Sequence, residues 1–280
     1  MSMTNKSIPV YVIALENSKR VEYLESDLKS RSINYQLITA INGLLLNDAE
    51  VETYYNQKCT YARLGYKLSK GLMACALSHQ RVYAELQKTG FEWALILEED
   101  ARITDSFNLG QLELVSNYLS DFPTIVQLFS RSSRLTARKT WTTLPTGDSL
   151  FEFAPRLIGS GTSGYLINRK AVNIANQYKK ISGPPDWPSW HTQIKFKGIY
   201  PWYTFETQLG SMINKPEISK IRIRMRWILI LTGLHYLRFR KCYSNISNYI
   251  KEEIVPLINH FRWKLGGSKY FTNESSPQLL

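Results

Sequence analysis

The distribution of apolar and polar residues predicts that the chain opens with a strand, a helix and a second strand. Residues 10–15 form an almost unbroken apolar run, whereas residues 20–30 place their apolar side chains on one helical face. A second strand-like run follows at residues 35–40. Strands that alternate with a helix pair in parallel, because the crossover returns the chain to the same end of the sheet. The opening therefore predicts a βαβ unit and an α/β fold.

Further along the chain, hydrophobic spacing predicts one long helix and several shorter elements. Residues 69–88 repeat apolar side chains at helical intervals and stop before Gly90, a residue type common just after helix ends. The other predicted elements are strands at 93–97, 124–129 and 165–167 and helices at 112–119 and 170–179. The polar, Arg-rich residues 130–147 and the Pro-rich residues 182–188 are predicted to be loops.

The predicted strand at residues 93–97 ends abruptly in Glu98, Glu99 and Asp100. In an open α/β sheet, ligands bind beyond the carboxyl ends of the strands. Carboxylates clustered there repel one another unless a proton or a cation relieves the repulsion. Mg²⁺ or Mn²⁺ bridging to a diphosphate is a common arrangement. The triplet therefore has two interpretations: a metal site at the edge of the sheet, or an ordinary solvated acidic turn.

The composition is that of a soluble globular protein, with 44% hydrophobic and 21% charged residues in a chain of 280. The three cysteines, Cys59, Cys75 and Cys242, are an odd number without repeated spacing, which argues against a disulfide framework or a zinc ribbon. A reducing compartment is the simplest inference. The N-terminal apolar run is too short for a signal peptide or a membrane span, so a cytoplasmic location is expected.

Positive charge is concentrated towards the end of the chain. Residues 211–280 contain 12 Lys and Arg against 4 Asp and Glu, which accounts for +8 of the formal net charge of +12. A basic segment on a near-neutral body favours an anionic surface as a partner. Within this segment, residues 227–237 are almost entirely apolar but too few to span a bilayer. They are predicted to form either an interfacial segment or a buried helix with basic ends.

Four segments, taken in order, resemble glycosyltransferase family 25, which includes bacterial lipooligosaccharide galactosyltransferases and collagen galactosyltransferases. They are VIAL at 12–15 with Arg20 and AING at 40–43; ACALSH at 74–79; LEEDA at 97–101; and GTSGYLI at 161–167 with PD at 185–186. A lone acidic triplet is weak evidence, whereas four ordered matches are strong. Two positions depart from the family pattern, because Glu99 and Asn42 stand where the family usually has Asp.

The resemblance implies a GT-A-like fold, which is a nucleotide-sugar-binding α/β sandwich with a mostly parallel central sheet. It places a catalytic domain at residues 1–210. The basic segment that follows, residues 211–280, is expected to be largely helical and to associate with a membrane.

The same resemblance assigns roles to the acidic residues. Glu98 and Asp100 are expected to hold Mn²⁺ or Mg²⁺, which would stabilise the departing UDP. Glu99 and Asp186 are expected to be catalytic, with Asp186 as the general base that takes the proton of the acceptor hydroxyl. Other interpretations remain open, in which Asp186 caps a turn or binds the donor sugar and Glu98 pairs with a nearby arginine.

Ligand contacts are expected from two further groups of residues. The donor would be bound by Arg20, His79, Gly161, Thr162 and Gly164, and the acceptor sugar would stack on Trp187 and Trp190. Simpler interpretations remain: Arg20 is a solvated arginine at the start of a helix, His79 is a core residue whose hydrogen bonds are satisfied, and the glycines form a tight turn.

The preferred functional hypothesis is an inverting transfer of a hexose, with galactose as the first choice, from a UDP-sugar to a lipooligosaccharide core. The expected partners are the UDP-sugar, a lipid-linked oligosaccharide acceptor and the anionic inner face of a bacterial inner membrane, with no nucleic acid. One alternative is a non-catalytic basic protein that binds nucleic acid or membranes. Another is a collagen-type galactosyltransferase of the secretory pathway, against which the missing signal peptide argues.

Overall fold

The computed structural model describes residues 8–119, 121–131, 134–153, 161–186 and 188–207, together with 250, 254 and 269–272. Trp187 and nearly all of the basic segment 211–280 lie outside the described residues, as does the apolar run at 227–237. Four consecutive described residues of that segment, Lys269–Thr272, form a strand. Among the residues that are described, no helix combines the length and apolar character needed to cross a membrane.

Helices and strands are interspersed through the first half of the chain. The helices are α1 (Val21–Ser30), α2 (Asp48–Tyr54), α3 (Gln57–Leu64), α4 (Lys70–Lys88), α5 (Leu109–Tyr118) and α6 (Arg169–Ala175). The strands are β1 (Val10–Ala14), β2 (Gln36–Thr39), β3 (Trp93–Glu98), β4 (Ala101–Ile103), β5 (Thr124–Gln127), β6 (Arg134–Thr143), β7 (Ser149–Phe153), β8 (Gly164–Asn168), β9 (Lys195–Tyr200), β10 (Thr204–Glu206) and β11 (Lys269–Thr272).

The described strands form a large sheet of nine, in the order β11-β6-β7-β9-β5-β8-β3-β1-β2, and a small antiparallel pair of β4 and β10. β1 pairs in parallel with both β2 and β3, which confirms the predicted βαβ opening. β8 runs antiparallel between β3 and β5, and β9 is parallel to β5. β7, β6 and β11 extend the sheet with antiparallel pairing.

The expectation of a mostly parallel sheet is confirmed for strand direction, although antiparallel pairs outnumber parallel ones. Six of the nine strands run the same way, whereas only three of the eight neighbouring pairs are parallel. Two of the five antiparallel pairs arise from β8, which returns between two strands of the opposite direction. Its pairing with β3 sets Gly164 opposite Leu97, so the segment just before β8 lies beside the end of β3.

Helices cover both faces of the central strands, which explains why those strands are apolar throughout. In β3, Ala94 and Ile96 belong to one apolar core together with residues of α4 and α6. Leu95 and Leu97 belong to a second core with residues of α1 and α5. The fold is therefore an α/β sandwich of three layers, in agreement with the predicted class.

The predicted loop at residues 130–147 is wrong for most of its length, because residues 134–143 form β6. The turn that joins β6 to β7 is closed by Leu144 N–H, which donates to Asp148 O at 2.7 Å, and contains Gly147 at φ +90°. Thr is common in strands even where the alternation of apolar and polar residues is weak. The helix α2 was also not predicted, although Asn47 and Glu50 form a capping box at its start.

Candidate active site

A cleft of about 380 Å³ opens at the edge of the sheet where β1 and β3 end. Its walls are the two strand ends, the loop after β2 and the first three turns of α4. Five residues singled out from the sequence line it: Arg20, His79, Glu98, Glu99 and Asp100. A volume of this size is typical of small-molecule sites.

Glu98 is the last residue of β3 and presents its carboxylate to the cleft. Its Oε1 accepts a hydrogen bond from the Thr162 hydroxyl and lies 3.2 Å from Nε2 of His79. Thr162 reaches this position because it lies just before β8, and Glu98 N–H donates to Ser163 O at 2.9 Å. Burial alone would raise the pKa of Glu98, but His79 and then Thr162 outweigh it and lower the pKa below its usual value. The Glu98 carboxylate is therefore ionised at neutral pH.

Glu99 borders the cleft but is only 9% exposed. Its Oε2 accepts from Leu15 N–H at 2.9 Å and its Oε1 from Nη1 of Arg20 at 3.2 Å. Both carboxylate oxygens are thus used to tie the end of β1 and Arg20 to the acidic turn. This placement suits a residue that positions Arg20.

Asp100 completes the acidic turn and pairs with the same arginine. Its Oδ2 accepts from Nη2 of Arg20 at 2.6 Å, whereas its Oδ1 is buried without a hydrogen-bond partner among the described residues. Burial raises the pKa of Asp100 to about 7, with the charge of Glu98 adding to the rise and Arg20 opposing it. Arg20 thus pairs with Glu99 and Asp100, whereas the arginine whose charge acts on Glu98 is Arg131.

His79 is both a core residue and a cleft residue, since it is only 2% exposed. Its Nδ1 lies 2.6 Å from the hydroxyl of Tyr165, which in turn lies 3.1 Å from the hydroxyl of Tyr83. The ring therefore links the Glu98 carboxylate to a buried pair of tyrosines. Its orientation is fixed at both nitrogens.

Asp186 and Gly161 meet beside the cleft, next to Arg131, but neither is among the described residues that line it. Gly161 N–H donates to Oδ2 of Asp186 at 3.3 Å, and Gly161 has a φ of +114°, which favours glycine. A Cβ at Gly161 would lie 3.1 Å from Oε1 of Glu206 and 3.5 Å from Cγ of Arg131. Arg131 lines the cleft and donates from Nε to Glu206. Burial raises the pKa of Asp186, an effect that Gly161 N–H and Arg131 oppose.

Main-chain atoms form one wall of the cleft, where the loop after β2 meets the start of α4. A Cβ at Gly43 would lie 2.7 Å from Cα of Gly71, so no side chain fits between these two segments. The Ser78 hydroxyl accepts from Ile41 N–H at 2.8 Å and holds the same loop to α4. We call this surface the glycine wall.

Two residues expected to bind ligand are used for packing instead. Trp190 is 5% exposed and packs edge-on against Tyr83 with ring centroids 6.2 Å apart, so it offers no face to an acceptor sugar. Gly164 lies within β8, where a Cβ would come within 2.6 Å of Oγ1 of Thr204, so its small size serves strand packing rather than close approach of the donor. Trp187 lies outside the described residues.

Arg131, which lines the cleft, and its partner Glu206 were missed by the sequence analysis. Arg131 follows β5, a strand that runs in the same direction as β3, so the strand-end argument applied to Glu98 could have found it. Glu206 carries no such signal, because it reaches the site only through the pairing of β10 with β4, in which it lies opposite Ala101.

Comparison with known proteins gives one family and distant relatives. The model of a family described as Glycosyltransferase family 25 (LPS biosynthesis protein) matches residues 7–186. Inactive glycosyltransferase 25 family member 3 of Mus musculus is 25% identical over 182 residues, which are 63% of this chain and 29% of that protein. Procollagen galactosyltransferase 1 of Danio rerio is 31% identical over 91 residues, 31% of this chain and 15% of that protein. The matched part of the chain thus spans less than a third of either relative.

Solved structures resemble the chain only weakly. The crystal structure of A197 from STIV has 12% identity and a TM-score of 0.33, covering 59% of this chain and 67% of that one. A glycosyltransferase involved in the glycosylation of the major capsid of PBCV-1 has 12% identity and a TM-score of 0.25, covering 59% and 62%. Likenesses at these TM-scores support no argument about fold or function. The family match, by contrast, covers well over half of the sequence, and the chain belongs to glycosyltransferase family 25.

Proposed function

We propose that this protein is an inverting, UDP-sugar-dependent glycosyltransferase that moves a hexose, galactose as first choice, to a lipooligosaccharide core. Family membership supports the transferase class. The observation that carries the proposal is the convergence of Arg20, Glu98 and Asp100 in one cleft of small-molecule size. Such an arrangement offers positive charge to a diphosphate and acidic ligands to a divalent cation that binds beside it.

Glu98 and Asp100 fit a hard divalent cation. Such cations take oxygen ligands, and Oδ1 of Asp100 is buried without a partner among the described residues, while Arg20 engages only Oδ2. The nearby carboxylate of Glu98 is ionised, as its lowered pKa requires. When bound, Mn²⁺ or Mg²⁺ would supply positive charge that stabilises UDP as a leaving group.

Arg20 provides the chain's own positive charge for the same diphosphate. Its guanidinium is held by Glu99 and Asp100, and its Nε is buried without a partner among the described residues. A phosphate oxygen is a suitable acceptor for such a donor, because charge-assisted hydrogen bonds from arginine to phosphate are strong. We therefore assign Glu99 a positioning role within the catalytic group.

Asp186 is the proposed general base. A sugar hydroxyl gives up its proton as it attacks, so a carboxylate within hydrogen-bond reach assists the transfer. Burial raises the pKa of Asp186, which makes its carboxylate a better proton acceptor, and Gly161 N–H fixes its orientation. The competing role for the same carboxylate is to bind a hydroxyl of the donor sugar.

The proposed setting is the cytoplasmic face of a bacterial inner membrane, with a lipid-linked oligosaccharide as acceptor. The name of the matched family includes LPS biosynthesis, which supports this acceptor class. One relative is named a procollagen galactosyltransferase, which supports galactose. The excess of basic residues in 211–280 supports contact with anionic lipid.

The test is release of UDP from a panel of UDP-sugars with Mn²⁺, with and without deacylated lipooligosaccharide. Asp100→Asn should lower turnover by about 10²-fold or more, because it removes charge that acts on the leaving group. Asp105→Asn makes the same change at an exposed carboxylate and should leave turnover unchanged. EDTA should abolish release and Mn²⁺ should restore it.

Specific results would contradict the proposal. Full activity in EDTA, or in Asp100→Asn, would remove the metal assignment. Absence of UDP release from every sugar, with both acceptor preparations, would reject the transferase function.

A further inference from the structure

Three side chains of different chemistry converge on the inner wall of the cleft: Cys75 and His79 from α4, and Glu98 from the end of β3. Cys75 and His79 are four residues apart, so one face of the helix carries both. The Sγ of Cys75, a ring nitrogen of His79 and a carboxylate oxygen of Glu98 all lie within 4.8 Å of one another. We call these residues the Cys-His-Glu cluster.

The donor atoms of this cluster favour a different cation from the all-oxygen pair of Glu98 and Asp100. Thiolate and imidazole suit Zn²⁺ and related ions, whereas Mg²⁺ and Mn²⁺ favour oxygen ligands. Tetrahedral zinc places its ligand atoms about 3.5 Å apart. The Cys-His-Glu cluster needs to contract by about 1 Å to reach that geometry, a shift that side-chain rotation can supply.

Neighbouring side chains hold the cluster in an orientation suited to metal binding. The Tyr165 hydroxyl lies 2.6 Å from Nδ1 of His79 and can accept its proton while donating its own to Tyr83, at 3.1 Å. Without metal, Nε2–H donates to the ionised Glu98 carboxylate at 3.2 Å; metal binding would select the tautomer with its proton on Nδ1, which frees the Nε2 lone pair for the cation. Hydrogen bonds of this kind to the second ring nitrogen are typical of metal-bound histidines. Thr162 donates to Glu98 and orients its carboxylate in the same way.

We propose that Cys75, His79 and Glu98 bind Zn²⁺ or a similarly thiophilic divalent cation, with the fourth coordination position open to the cleft. Loading replaces the proton of the Cys75 thiol with a metal–sulfur bond, and the proton passes to solvent. Three protein ligands with one open position are the usual composition of a zinc site that is accessible to small molecules.

The site shares Glu98 with the cation position of the proposed function, so the two cations compete. Zn²⁺ in the Cys-His-Glu cluster would withdraw Glu98 from Asp100 and inhibit sugar transfer. This inhibition rests on the proposed function, whereas the binding of the metal does not.

Binding is tested by titrating the full-length, metal-free protein with Co²⁺, whose thiolate complexes have a charge-transfer absorption in the near ultraviolet. We expect one equivalent of Co²⁺ to produce this band and Zn²⁺ to displace it. Cys75→Ser should remove the band and weaken Zn²⁺ binding by at least about 10-fold, since even loss of an outer contact to a metal ligand costs that much. His79→Gln should weaken binding as well. Cys59→Ser and Cys242→Ser are the matched controls and should keep the band.

The result that overturns the proposal is a Cys75→Ser titration identical to that of the unmodified protein, or no thiolate band at stoichiometric Co²⁺. Circular dichroism establishes that each variant is folded, and His79→Gln gives a second, independent reading if Cys75→Ser is not. Asp100→Asn separates this inference from the proposed function, because it should lose Mn²⁺-dependent transfer and retain the thiolate band. If the unmodified protein shows the band but transfers no sugar, the proposed function is rejected and the metal site is retained.

Discussion

At the level of single residues, the acidic turn is held by Arg20, which donates to Glu99 at 3.2 Å and to Asp100 at 2.6 Å. A guanidinium reaches the two carboxylates from two separate nitrogens of a planar fork, whereas a lysine ammonium offers its three N–H groups from a single nitrogen. Glu99 in turn fixes the arginine to Leu15 N–H at the end of β1. The turn is therefore an ordered set of charges whose geometry depends on one side chain.

Arg20→Lys is expected to lower kcat/KM for the UDP-sugar by at least about 10-fold, since a hydrogen bond to a charged group contributes roughly 1.5–3 kcal/mol. The measurement is initial-rate kinetics at fixed Mn²⁺. Arg31→Lys makes the same change at an arginine that bonds Thr104 O on the surface, and it should have no effect. Equal rates for both variants would mean that Arg20 does not contact the donor.

Gly161→Ala should affect both stability and activity. The positive φ alone should lower the unfolding free energy by about 1 kcal/mol or more. A methyl group 3.1 Å from the Glu206 carboxylate would also displace the ion pair between Glu206 and Arg131. Gly147→Ala is the control, because Gly147 has a φ of +90° but no atom of the described residues lies within 4 Å of where its Cβ would stand. Urea unfolding should register both changes, whereas only Gly161→Ala should reduce UDP release.

At the level of elements, the site is produced by the antiparallel return of β8 beside β3. The register that sets Gly164 opposite Leu97 brings Thr162 to Glu98 and Gly161 to Asp186. The sequence predicts β3 and α4 well, because apolar spacing and the Ser69 cap are local signals. It does not predict the place of β8 in the sheet, since strand order depends on contacts between distant residues.

Gly164→Ala should destabilise the fold by about 1–3 kcal/mol through overpacking, because the new Cβ would lie 2.6 Å from Oγ1 and 2.9 Å from Cγ2 of Thr204. Adding Thr204→Ala removes both of those atoms and should recover much of the loss. Gly110→Ala, at an exposed position of α5, should be neutral or slightly stabilising. Urea denaturation of the four proteins measures the effect, and a double variant no more stable than Gly164→Ala would refute the packing argument.

At the level of the whole molecule, the predicted site residues that line the cleft are, apart from His79, those next to strand ends. Glu98, Glu99, Asp100 and Arg20 could be found this way, because the carboxyl ends of β1 and β3 meet at one edge. Trp190 could not, since nothing local distinguishes an aromatic ring that stacks on a sugar from one that packs against Tyr83. Glu206 was missed for a related reason, as its position depends on a strand pair formed across the molecule.

Charge is the other property of the whole molecule that leads to a prediction. The full chain should bind vesicles containing anionic lipid, and binding should fall as salt concentration rises. Changing Arg238, Arg240 and Lys241 together to Gln should weaken binding by about 100-fold, at about 1 kcal/mol for each basic residue near the surface.

Cosedimentation with vesicles measures this, and the matched control changes Lys19, Lys29 and Lys58, which are exposed on the body, to Gln. Equal losses in the two triple variants would show that only total charge matters. If the protein bound neutral vesicles as strongly as anionic ones, the attraction to the membrane would not be electrostatic.

The glycine wall limits how this protein can change its ligand. Because a Cβ at Gly43 would lie 2.7 Å from Cα of Gly71, peptide groups form the part of the cleft where the loop meets the helix. A larger residue at Gly43 would push the loop from the helix before it could contact a substrate. Divergence towards another sugar or nucleotide is therefore expected among the side chains that line the cleft, such as Asn42, Lys70 and Arg131, while this backbone contact stays constant.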